Sequence, residues 1–111
     1  MQLAQTHEGG VTILQPVGPV IANELDTLEQ SLAALRQNWT KRIVINMHDV
    51  PFVDSAGLEL LVRYRRDLDA CGLILKLADL TDTVARILQL TRLTGRFEVF
   101  ANTATAVRSF L

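Results

Sequence analysis

The run Ile43-Val44-Ile45-Asn46-Met47 constrains this chain more than any other feature. It is short, β-branched and apolar at odd and even positions alike. Successive side chains of a strand point to opposite faces, so such a run is stable only where both faces are covered. It therefore belongs in the middle of a sheet with helices on either side. The rest of the 111 residues must supply those helices and the neighbouring strands.

They do so at regular intervals. Residues 2–8 and 11–17 flank Glu8-Gly9-Gly10, and a glycine pair provides the positive φ angles of a tight hairpin, so the chain is expected to open with two antiparallel strands. Gly18-Pro19 should end the second. Asn23 is a good N-cap, with Glu24 and Asp26 in the first turn, and Leu25, Leu28, Leu32 and Leu35 recur at helical spacing. Helical period returns from Ser55 to Cys71, with Gly57, Leu61, Tyr64, Leu68 and Cys71 on one side, Glu59, Arg63, Arg66 and Asp67 on the other, and Gly72 as the C-terminal stop. Leu73 to Leu77 reads as a strand, Thr81 as the cap of a helix carrying Val84, Ile87, Leu88 and Thr91, and Phe97 to Phe100 as a last strand. Asn102 caps a terminal helix with Ala106, Val107 and Phe110 on its inner face. The order ββαβαβαβα implies an α/β fold. Its mixed sheet has about five strands, an antiparallel opening hairpin and then parallel additions through right-handed crossovers, with about four helices. No repeat or linker interrupts it, so one domain over residues 1–111 is expected.

Composition narrows the function. Eleven Lys and Arg against 12 Asp and Glu leave a formal charge of -1, which removes the usual electrostatic drive toward nucleic acid or an acidic membrane. Cys71 is the single cysteine, so an internal disulfide and Cys/His metal patterns are unavailable, and it reads as a small core filler. No apolar stretch approaches the ~18 residues of a membrane span and the N-terminus lacks an export pattern, so no membrane insertion and a cytoplasmic location are expected. Neither a Gly-x-x-x-x-Gly-Lys loop nor a Gly-x-Gly-x-x-Gly turn is present. His7 and His48 stand apart from any Cys, Ser or second His and read as surface residues. No catalytic residue, metal or cofactor is expected.

The informative segment is His48-Asp49-Val50-Pro51-Phe52-Val53-Asp54-Ser55-Ala56-Gly57-Leu58, between the central strand and the second helix. Pro51 keeps Val50 extended, Phe52 or Val53 anchors the loop, and Asp54 or Ser55 caps the helix. Gly57 in the first helical turn costs up to ~1 kcal/mol relative to alanine, which points to a backbone or partner approaching closely. A serine at this place is presented to solvent. A phosphate on it would meet free N–H groups and the positive end of the helix dipole, while Asp54 beside it would oppose the added charge. The local field would change by almost two charges, enough to alter what docks there. Leu58, Val62 and Arg65 lie a quarter turn or more from the core stripe, next to Asp54, Ser55, Ala56 and Gly57, where Leu58 and Val62 either widen the buried stripe or stand partly exposed, and Val20, Ile21 and Asn23 sit at the neighbouring junction. Together they form an expected apolar docking patch, better suited to a protein than to a small polar ligand.

Phe52-Val53-Asp54-Ser55-Ala56-Gly57-Leu58, with the amphipathic helix through Arg63 and Tyr64, resembles the signature of the STAS domain. That family includes bacterial anti-sigma factor antagonists and the cytoplasmic tails of sulphate transporters. The resemblance extends over nearly the whole chain, through the element order, the strand from Ile43 and the Leu93-Thr94-Gly95 segment. It implies a non-enzymatic regulatory module. In free-standing members the serine after the aspartate, here Ser55, is phosphorylated by a serine kinase that is also the anti-sigma factor. The unphosphorylated antagonist holds that kinase and frees the sigma factor; the phosphorylated form lets go. One departure stands out: many phosphorylated members carry a Gly-Glu-Leu-Asp-like stretch where this chain has Gly18-Pro19-Val20-Ile21, with isoleucine in place of the acid. The alternative is a constitutive STAS subunit that binds the ATPase of a lipid or solute transporter without phosphorylation. A phosphoaspartate receiver would find acceptors in Asp49 or Asp54, but its acidic cluster and lysine are missing. A homodimer is compatible with either leading reading.

Overall fold

A computed structural model describes residues Met1–Leu111. Strands β1 (Gln2–Glu8) and β2 (Val11–Val17) form the opening hairpin, turned by Gly9 and Gly10 at φ +56° and +77°. Then follow α1 (Asp26–Gln37), β3 (Arg42–Asn46), α2 (Ser55–Ala70), β4 (Ile74–Ala78), α3 (Asp82–Leu90), β5 (Val99–Phe100) and α4 (Thr103–Arg108). The sheet order is β1-β2-β3-β4-β5, with only the first pair antiparallel. This is the expected architecture.

The sheet is covered on both sides, and β3 shows why its sequence is apolar throughout. Ile43 and Ile45 point into the larger core, among Leu28, Leu32 and Leu35 of α1, Leu61 and Leu68 of α2 and Leu88 of α3. Val44 points the other way, into a smaller cluster with Val11, Ile13, Ala78, Ala106 and Val107. All three β3 side chains are fully buried. At ~25 cal/mol per Å2, full burial of each stabilises by about 1.5–3 kcal/mol.

Three local expectations are corrected. Asn23 does not cap α1. Residues Ala22–Glu24 form a 3-10 turn, and α1 begins after Leu25 without a side-chain cap, because the Ala22 N–H at the front of that turn is taken by Asp54. The last strand is Val99–Phe100 only: Thr94–Arg96 form a second 3-10 turn and Phe97 drops its ring into the main core, so ladder pairing starts two residues late. Cys71 is the half-buried C-cap of α2, at the margin of the core. Elsewhere the caps are as read, with Thr81 accepting from the Val84 N–H, Asn102 from the Thr105 N–H, and Gly72 left-handed at φ +78°.

Candidate functional site

The site lies beyond the C-terminal ends of β2 and β3, where α2 begins. Asp54 has the extended backbone of an N-cap, and its two carboxylate oxygens do different work. Oδ1 accepts the Gly57 N–H at 2.8 Å, within the helix it caps. Oδ2 accepts the Ala22 N–H at 3.0 Å, from the segment that follows β2. Those two N–H groups, Ala22 first and Gly57 second, hold the Asp54 carboxyl below the usual carboxylate range against a weaker opposing effect of desolvation.

The backbone reinforces the clamp. The Gly18 N–H donates to the Asp49 carbonyl at 2.9 Å, the Val20 N–H to Phe52 at 3.1 Å, and the Asp54 N–H back to Val20 at 3.2 Å. Gln15 adds a side-chain bond to the Asp49 carboxylate at 2.8 Å. Residues 18–22 therefore run beside residues 49–54, with Val20 bridged to Val53. Gly57 faces the Val20 carbonyl so closely that no Cβ fits between them. The expected close approach is made by the chain's own backbone.

Ser55 is the first residue of α2 and is exposed. Of the N–H groups around it, Gly57 is spent on the Asp54 side chain and Leu58 on the Asp54 carbonyl at 2.9 Å, and the Ala56 N–H also faces that carboxylate. The expected cluster of free N–H donors is thus largely occupied. A phosphate at Ser55 would stand beside an ionised aspartate with few donors left to hold it.

The other candidates fall into three groups. Ala56 and Val62 are half-buried and Asn23 is exposed, all near the turn, while Ile21 is half-buried at the junction. Val20 and Leu58 are corrected, because both belong to the core, Val20 fully covered and Leu58 with 8% of its surface exposed. Val20 is therefore not free to line a docking surface, whereas the uncovered edge of Leu58 lines the groove beside Ser55. Arg65 points away from Ser55, into a cleft with Asp69, Leu73 and Arg96 at the far end of α2. A shallow groove of about 370 Å3 instead joins Ser55, Leu58, Glu59 and Val62 to Arg63, Arg66 and Leu93. Arg63 is tied to Glu29 of α1 by an ion pair.

Two apolar side chains at this end are exposed, Val17, which the sequence does not single out, and Phe52. Val17 at the close of β2 keeps 43% of its surface exposed and Phe52 42%. Of the two alternatives for the loop anchor, Phe52 and Val53, the anchor is Val53. His48 lies beyond them, its Nδ1 2.9 Å from Asp79 at the start of the next connection. No helix is long and apolar enough to cross a membrane.

A five-stranded mixed sheet with an acidic N-cap, an exposed serine after it and a glycine two residues on defines a recognisable class of small α/β domain. The chain belongs to the STAS domain family, whose model matches residues 2–106. An anti-sigma-B factor antagonist of Staphylococcus aureus is 31% identical over 78 residues, covering 66% of this chain and 72% of that protein. An anti-sigma factor antagonist from Mycobacterium paratuberculosis shares the fold with a TM-score of 0.88 at 20% identity, over 97% of this chain and 92% of the other. A Bacillus cell-fate determinant solved in its phosphorylated form shares it with a TM-score of 0.76 at 16% identity, over 99% and 100% of the two chains.

Proposed function

We propose that this protein is a non-enzymatic regulatory module of the anti-sigma factor antagonist type, which binds an anti-sigma factor that is also a serine kinase and is released when Ser55 is phosphorylated. The observation that carries the reading is the exposed Ser55 hydroxyl at the start of α2, next to an aspartate whose carboxylate is already committed to two backbone donors. Adding about -1.5 to -2 charges there places like charge against Asp54. The complex is lost through the surface field, while the fold beneath, fixed by the Val20 clamp, is unchanged. The 31% identical relative, named as an antagonist of an anti-sigma factor, supports the partner class.

Incubation with ATP and the histidine-kinase-like serine kinase encoded nearest its gene, followed by site mapping in a mass spectrometer, tests the reading. Phosphate on Ser55 is expected, with none incorporated by Ser55→Ala. Ser55→Asp is expected to weaken the complex with the kinase at least tenfold. Phosphate elsewhere, or none, overturns it.

Ile21 at the position of the family's acidic residue favours a second reading, a constitutive subunit that binds a transporter ATPase. In that case Ser55→Ala leaves function untouched, and affinity capture recovers the ATPase without a kinase.

A further inference from the structure

The two edges of the sheet are unlike. β5 pairs over two residues, Val99 and Phe100, and so short an edge offers an incoming strand little to hold. β1 runs for seven, in unbroken one-to-one register with β2 from Gln2 opposite Val17 to Glu8 opposite Val11, so no bulge turns its outer side away. It contains no proline and no lysine, and its one charge at neutral pH, Glu8, stands at the end. Six of its residues are exposed and Leu3 is half-buried. The devices by which sheets ordinarily blunt an edge are absent from β1, and its outward N–H and C=O groups have no partner strand.

We propose that β1 is a self-association edge, across which a second copy of this chain pairs its own β1 antiparallel about a two-fold axis through Gln5, joining the two sheets into one of ten strands.

The register follows from symmetry and charge. A two-fold axis perpendicular to the sheet keeps each face on its own side, so facing residues must share parity. Among such registers only the one centred on Gln5 pairs all seven residues. It sets Gln2 opposite Glu8, Leu3 opposite His7 and Ala4 opposite Thr6; a shift of the axis by one residue either way leaves five. In the full register Glu8 meets an amide that can donate to it, and no like charges face each other. Leu3, which packs against the main core, stays on that core's side of the sheet. A slip to opposite parity would carry it to the other face. Complementarity of β1 with itself is what selects a second copy as the occupant over a strand of another protein.

Sedimentation of the purified protein from micromolar to millimolar concentration tests the proposal, and a concentration-dependent dimer is expected. Gln5→Lys, which sets two ammonium groups face to face at the axis, should remain monomeric throughout with unchanged circular dichroism and melting. In a Cys71→Ser background, Gln5→Cys should oxidise to a disulfide-linked dimer, since facing Cα atoms lie about 4.5–5.5 Å apart. His7→Cys should not, because four residues at about 3.4 Å each separate it from its symmetry mate by ~14 Å. A wild type that is monomeric at millimolar concentration overturns the proposal. So does a dimer that Gln5→Lys leaves intact, or one that His7→Cys cross-links as readily as Gln5→Cys.

Discussion

The backbone carbonyl of Val20 occupies the space where a Cβ on Gly57 would stand, and a Val20 methyl lies 3.0 Å from the same point. The glycine is there because two segments distant in sequence touch at that spot. The same carbonyl accepts the Asp54 N–H, so the contact belongs to the N-cap of α2 as much as to the connection after β2.

Gly57→Ala should therefore destabilise the protein, although alanine is the better helix former by up to ~1 kcal/mol. The obstruction is backbone, which cannot swing aside as a flexible side chain would, and overpacking of this kind costs typically ~1–3 kcal/mol. Urea denaturation of the two proteins gives the difference; a variant as stable as wild type would show that the two segments separate freely.

Asp54 makes the fold sensitive to acid. Its folded pKa lies below its unfolded value, so the stability it contributes is complete above about pH 4 and is lost as the pH falls through the folded value. Asp54→Asn should be less stable at neutral pH, because one carboxamide oxygen cannot accept from Ala22 and Gly57 together and the NH2 must face one of those donors. Once the pH has fallen through the folded value the two proteins should converge. Parallel stability curves across that range would mean that the carboxylate contributes nothing specific.

Ser55 is expected to be thermodynamically silent. It is exposed, and Asp54 already supplies the cap, so Ser55→Ala and Ser55→Asp should each lie within about 0.5 kcal/mol of wild type by chemical denaturation. A larger loss would make the residue structural and would undercut its use as a switch.

Lys76 is the one buried cation, with 6% of its surface exposed beneath α4. Its ammonium donates to Ser109 Oγ at 2.8 Å, lies 3.3 Å from Glu98 and sits 4.1 Å from the centre of the Phe110 ring. Lys76→Met keeps the packed stem and strands no buried group, since Ser109 Oγ still donates to the Ala106 carbonyl and Glu98 faces water; a change within about 1 kcal/mol is expected. Lys76→Ala opens a void under Phe110 and should cost about 2 kcal/mol or more. Equal losses for the two variants would assign the role to the charge instead of the stem.

What the sequence made legible was whatever depends on near neighbours. The Gly9-Gly10 hairpin, the two-sided apolar run of β3 and the caps at Thr81 and Asn102 are local signals, and each lies where it was read. The errors share one cause. Asn23 is the best cap in its window, but the leading N–H of that turn, on Ala22, is served by Asp54 from the neighbouring connection. Val20 looked like a surface residue of a junction until its pairing with Val53 buried it. Leu58, for which both outcomes stood open, belongs to the core and also edges the groove beside Ser55. Lys76, in an otherwise apolar strand, carried no mark that it would be covered, because the helix that covers it is short and arrives at the end of the chain.

That helix has a consequence of its own. α4 has six residues, too few to persist without its contacts, and it covers the smaller cluster on one face of the sheet through Ala106 and Val107, with Phe110 just beyond its end. It should be the first part of the molecule to lift, admitting water to Lys76 and Val44 while α1, α2 and α3 stay seated. In deuterated buffer the amides of residues 105–110 should then exchange well ahead of those in β3, through an opening far smaller than global unfolding.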